Sequence, residues 1–118
     1  MIYEEIPELS DLELTDWLKS KDSNQICRAI ISVALYGTDE RKATEICLAH
    51  LSGDDEWIAR CSLTGLGHIA RIHRNIDFDI IGVEREIRAS GLDRRLPGEV
   101  EDLRRDIRVY ILKHHGLQ

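Results

Sequence analysis

Asp54-Asp55-Glu56-Trp57-Ile58-Ala59-Arg60-Cys61-Ser62-Leu63-Thr64-Gly65-Leu66-Gly67-His68-Ile69-Ala70-Arg71-Ile72-His73-Arg74 is the stretch that decides the fold of this chain. Three acids open it, as suits the positive end of a helix dipole, and small and apolar residues follow at helical spacing. The pattern is that of a helix packed on several sides. Gly65 and Gly67 in its middle each cost about 1 kcal/mol relative to Ala, and close approach of neighbouring helices is what would offset them.

Working outward, Gly53 separates this helix from a preceding one that Thr38, Asp39 and Glu40 start and whose buried side is marked by Ala43, Ile46, Cys47, His50 and Leu51. Before that, Ser23 can cap a helix that is apolar over most of its circumference from Ile26 to Leu35 and stops at Gly37. Ser10 and Glu13 form a capping box for a first helix with Leu14, Trp17 and Leu18 on one face, closed by Lys19 and Lys21. On the other side, Asn75 or Asp77 begins a fifth helix that ends near Gly91. The polar link Asp93-Arg94-Arg95 leads to Pro97 in the first turn of a sixth. The last stripe, Val100, Leu103, Ile107, Tyr110 and Ile111, has a clean helical period, with Glu101 and Arg105 paired four residues apart. No segment alternates with period two, so no strand is expected. The chain reads as all-α, one domain over residues 1–118, either a compact bundle or a short α-solenoid of about six antiparallel helices.

Composition narrows the function classes. Hydrophobic residues make up 42% and charged residues 32%, a globular balance. Residues 1–5 carry neither a basic nor an apolar leader pattern, and no run approaches a membrane span, so a soluble, cytoplasmic protein is expected. Cys27, Cys47 and Cys61 are odd in number and lack Cys-x-x-Cys spacing, which reads as buried thiols kept reduced. Net charge is −6 but uneven: residues 1–59 hold 13 acids and 5 bases, residues 60–118 hold 9 acids and 11 bases.

Chemistry-bearing motifs are few. Gly65-Leu66-Gly67-His68-Ile69-Ala70 matches a dinucleotide fingerprint in letters, but that motif needs a strand before it and a parallel sheet around it. His68 and His73 point to different sides of their helix, His114 and His115 are adjacent, and no His-Glu dipeptide occurs, so no metal is expected. Cys61 and His68 share a face at i,i+7, yet an apolar packed helix raises a thiol pKa rather than activating it. Arginine is frequent after residue 70, but many arginines have acidic neighbours, such as Glu84 with Arg88 and Asp102 with Arg105, and aromatic residues total only 5%, which disfavours nucleic acid. No enzyme activity and no cofactor are expected.

The acids are the remaining asymmetry. Dipole compensation explains Asp39, Glu40, Asp54, Asp55 and Glu56, all at helix starts. It does not explain Glu4, Glu5, Glu8, Asp11, Glu13 and Asp16, which extend the same sign across the first helix and its approach. If helical hairpins stack side by side, the two acidic turns would form one negative ridge that attracts a basic protein.

The run from Asp54 to Arg74, above all Leu66-Gly67-His68-Ile69-Ala70-Arg71-Ile72-His73, resembles HEAT-repeat proteins, and in particular small bacterial HEAT-like immunity proteins of polymorphic and contact-dependent growth inhibition toxin systems. The resemblance covers about twenty residues. Where HEAT repeats usually carry Arg this chain has Ala59, with Arg60 one place later. It implies a non-enzymatic, HEAT-like protein that binds a cognate toxin domain and blocks its active site or substrate access. An acidic protein of this kind suits a basic nuclease. The expected partner-binding residues are Glu13, Asp16, Asp39, Glu40, Asp54, Asp55, Glu56 and Trp57, with Trp57 either an interface anchor or a hydrophobe packed on the third helix. The alternatives are a HEAT-like adaptor for another protein and a DNA-binding helical-repeat protein.

Overall fold

Ser10 opens the first helix as the sequence requires: its hydroxyl accepts from Glu13 N–H at 3.1 Å while its own N–H donates to the Glu13 carboxylate at 3.0 Å. In the computed structural model, which describes residues 6–117, seven α-helices follow: α1 (Asp11–Leu18), α2 (Ser23–Tyr36), α3 (Glu40–Ala49), α4 (Glu56–His73), α5 (Ile80–Ala89), α6 (Leu92–Arg95) and α7 (Pro97–Ile107). A π-helical segment, Arg108–Lys113, continues α7. No strand occurs among the described residues. The Gly65-x-Gly67 letters lie in the middle of α4, which removes the nucleotide-loop reading.

Several helix ends differ from the sequence reading for local reasons. Asp22, not Ser23, caps α2 by accepting from Asn24 N–H, which frees the Ser23 hydroxyl to bond Asp55. Helix α3 stops at Ala49, before Gly53. Asp79 rather than Asn75 or Asp77 caps α5, accepting from Gly82 N–H at 2.9 Å. The link Asp93-Arg94-Arg95 is itself the helical turn α6, entered through Gly91 at φ +64°. Arg105 pairs with Asp102 at 3.0 Å rather than with Glu101.

The helices form two layers running in opposite directions. Cys27 of α2 donates to the Trp57 carbonyl, and Ile30 and Ala34 lie against Gly65 further along α4, so α2 and α4 are parallel. Helix α7 repeats the relation: Glu99 meets Arg60 at 2.9 Å, and Asp106 lies over Gly67. Helices α1, α3 and α5 run back the other way. Trp17 at the end of α1 meets Arg28 near the start of α2, Glu40 at the start of α3 meets Asn75 just past α4, and α5 starts at Asp79 beside the groove of Glu40 and ends at Ser90, whose carbonyl accepts from the Arg95 that pairs with Glu56 at the start of α4. The main core fills the space between, with Ile30, Leu63, Leu66, Ile69, Ile87, Leu103 and Ile111 fully buried. Helix α4 is central because its small residues admit a neighbour on each side.

Candidate protein-binding site

Two opposed layers put three helix starts at each end of the molecule. Helices α1, α3 and α5 begin at one end, near Asp39; helices α2, α4 and α7 begin at the other, near Asp55. The acids that suit helix starts are divided accordingly. A single ridge formed by both acidic turns is therefore not what the fold provides. Asp39 and Glu40 stand at the start of α3, and Asp54, Asp55 and Glu56 stand beyond its end, about 15 Å away along a helix of 10 residues.

At the Asp55 end two of the three acids, Asp55 and Glu56, are engaged within the fold. Asp55 accepts from Trp57 N–H at 2.9 Å, from Ile58 N–H at 3.3 Å and from the Ser23 hydroxyl, and the Ser23 bond in particular holds its carboxyl below the usual carboxylate range. Glu56 pairs with Arg95 of α6 at 3.4 Å, while Asp54 is exposed. Trp57 is half-buried against Cys27, Ile31 and Cys61, with the Arg60 guanidinium 6.0 Å from its ring. It therefore packs on α2 rather than on α3.

The Asp39 end holds two concavities on either side of the α3 start. The larger, about 390 Å³, is lined by Glu40, Glu45, Asp77 and Asp79, with Arg41 as the one cation among its described lining residues and Phe78 and Leu48 as apolar lining. Asn75 donates to Glu40 at 2.9 Å and fixes the loop that carries Asp77 against α3. The smaller, about 170 Å³, has Glu8, Asp11, Asp39 and Lys42 among its polar lining, over Leu9, Leu14, Val33 and Tyr36. There Lys42 meets Asp11 at 3.6 Å. Of the residues expected from sequence, the structure brings Asp39 and Glu40 to this end. Glu13 and Asp16 are exposed on α1, and Glu13 is tied to Ser10 in the capping box, whose hydrogen bonds lower its pKa. Glu4 and Glu5 lie outside the described residues.

Glu45, Asp77 and Asp79 are not among the partner-binding residues expected from sequence, where Asp77 figures only as a possible helix start. Nothing in their spacing shows that the α4–α5 loop folds back against the outer face of α3. Exposed aliphatic side chains neighbour these acids in the chain: Ile76 at 44% exposure and Ile81 at 74%. An acidic groove beside exposed aliphatic groups is suited to a partner carrying basic side chains on an apolar base.

A third cleft, about 250 Å³, lies between α4 and α7 and is lined by Thr64, His68, Arg71, Asp102 and Asp106 among others. Burial, reinforced by Arg71, pushes the His68 imidazole down to about 4, and burial raises the Asp106 carboxyl. The cleft thus holds a neutral imidazole beside a carboxyl that protonates more readily than usual. Cys61 stands seven residues before His68, about 10 Å along the helix axis, so the two do not form a nucleophile–base pair. No group of three or more His, Cys, Asp or Glu side chains able to hold a metal ion occurs among the described residues, and no helix there is long and apolar enough to cross a membrane.

Comparison with known proteins finds no family model, no curated protein and no solved structure that matches this chain.

Proposed function

We propose that this protein is a HEAT-like immunity protein that binds a basic toxin domain, a nuclease in the first instance, and covers its active site or substrate path with the Asp39 end. The observation that carries this reading is the convergence of Glu40, Glu45, Asp77 and Asp79 on one groove with Arg41 as the only opposing charge among its described lining residues. A nuclease surface built to hold phosphates presents the complementary sign. The resemblance of residues 54–74 to HEAT-like immunity proteins supplies the class. The parallel α2, α4 and α7 helices, with α3 and α5 returning between them, agree with a hairpin-stacking architecture.

Binding to a protein is favoured over binding to DNA because several arginines are spent within the fold. Arg60 pairs with Glu99, Arg95 with Glu56, Arg104 with Glu84 and Asp93, and Arg105 with Asp102. Co-expression with the product of the gene directly upstream, which this reading requires to be the toxin, tests the proposal. Co-purification and restored growth support it; a toxin that remains lethal and fails to co-purify with the folded protein refutes it.

A further inference from the structure

Two thiols far from the acidic groove meet across the α2–α4 contact. Cys27 and Cys61 are 0% and 3% exposed and form, with Ile6 and Ile31, a small cluster separate from the main core. Cys27 Sγ donates to the Trp57 carbonyl oxygen at 3.4 Å, which seats it on the turn of α4 leading to Cys61. Both side chains sit in this one cluster, and each is the largest influence on the other's titration. One turn further along, Gly65 keeps the two helices close by admitting Ile30 and Ala34. Close parallel backbones that bring two cysteines into one buried cluster are where a disulfide can form.

We infer that Cys27 and Cys61 are a redox-active dithiol that a hydroperoxide closes into an intrachain disulfide, stapling α2 to α4. Cys61 is the attacking sulfur: the neighbouring Cys27 thiol lowers its pKa, whereas Cys61 and burial raise that of Cys27. The Cys61 thiolate attacks one peroxide oxygen and the O–O bond breaks. The hydroxide released takes up the thiol proton as water, and Cys61 becomes a sulfenic acid. Cys27 sulfur then attacks the Cys61 sulfur; the S–S bond forms, the S–O bond breaks, and hydroxide leaves with the Cys27 proton as a second water. The two sulfurs give up two electrons and the peroxide accepts them. Cys47 is a built-in control, because it is fully buried and burial alone pushes its thiol up to about 12.

Residues 6–9, just before α1, pack over the pair. Ile6 is packed into the cluster, and the segment is held to α2 by Ser32 Oγ donating to the Pro7 carbonyl at 2.7 Å, Leu9 N–H donating to Ser32 Oγ at 3.3 Å and Tyr36 OH donating to the Ile6 carbonyl at 3.1 Å. Loosening this strap should admit oxidant. The inference does not depend on the proposed toxin partner.

The test uses the whole reduced protein with millimolar hydrogen peroxide, followed by alkylation in denaturant, intact mass and peptide mapping. Two of the three thiols should be lost, with a Cys27–Cys61 peptide, an alkylated Cys47 and recovery on adding dithiothreitol. Ser32→Ala should accelerate the loss roughly threefold or more, and Cys27→Ser should abolish the cross-link while Cys61 still oxidises. Three alkylatable thiols in the wild type after the peroxide treatment would overturn the inference. So would oxidation of Cys47 at the same rate, or cross-links only between molecules. The wild-type measurement decides even if a variant fails to fold.

Discussion

Gly65 of α4 stands directly against Cys47 of α3: a Cβ on Gly65 would lie 2.9 Å from the Cys47 sulfur, 3.4 Å from Ile30 Cγ2 and 3.5 Å from Ala34 Cβ. The missing side chain is what lets α2 and α3 both close on the central helix. Gly67, two residues on, serves a different neighbour, since a Cβ there would meet the Asp106 carboxylate at 2.7 Å.

The two glycines should therefore respond differently to alanine. Helix propensity favours Ala by about 1 kcal/mol at both. At Gly65 the obstacle is a fully buried core, and overpacking of that kind costs about 1–3 kcal/mol, so Gly65→Ala should be destabilising by about 1 kcal/mol net. At Gly67 the obstacle is the end of a half-buried side chain that can swing aside, so Gly67→Ala should be neutral or mildly stabilising. Urea midpoints measure both; equal shifts for the two would count against glycine-mediated packing at α4.

Much of this was legible in the sequence. The Ser10–Glu13 box, the Pro97 start and the dense apolar pattern of α2 and α4 report local chemistry that the fold obeys. Asp39 and Asp55 were readable as helix-start acids for the same reason. What could not be read was which end each start occupies, because that depends on α2 and α4 running parallel with α3 returning between them. The single acidic ridge failed on that point, and Asp77 and Asp79 were missed as neighbours of Glu40 for the same cause. Helix α6 was hidden because its four residues, Leu92-Asp93-Arg94-Arg95, look like a charged linker.

Acid sensitivity should be traceable to His68. Its folded pKa of about 4 lies below the ordinary 6.5, so between those values the unfolded chain binds a proton that the folded chain refuses. Stability should consequently fall as pH drops from about 6.5 towards 4. The loss should be on the order of 1–2 kcal/mol once partial exposure is allowed for. His68→Gln should flatten that part of the profile in urea melts between pH 7 and 4. An unchanged slope would show that the imidazole titrates freely in the fold.

Asp55 should prove to be a structural acid. Removing its cap by Asp55→Ala should cost about 1–2 kcal/mol, since it satisfies two N–H groups of α4 and the Ser23 hydroxyl. Its carboxyl pKa is depressed in the fold, so its contribution is present above the unfolded value near 3.8 and disappears as pH falls through the folded one. The wild-type and Asp55→Ala stability curves should converge below that range. A constant gap down to strong acid would assign the loss to packing instead of charge.

If a basic toxin is held at the Asp39 end, stopped-flow association with the toxin identified by co-purification should depend on the acids there. At low salt, Glu40→Lys with Asp77→Lys should slow association by roughly tenfold or more, with the difference shrinking as salt rises, while Asp54→Lys with Glu56→Lys should change it by no more than about threefold. Comparable slowing by both pairs, or slowing by the Asp54 and Glu56 pair alone, would contradict the account.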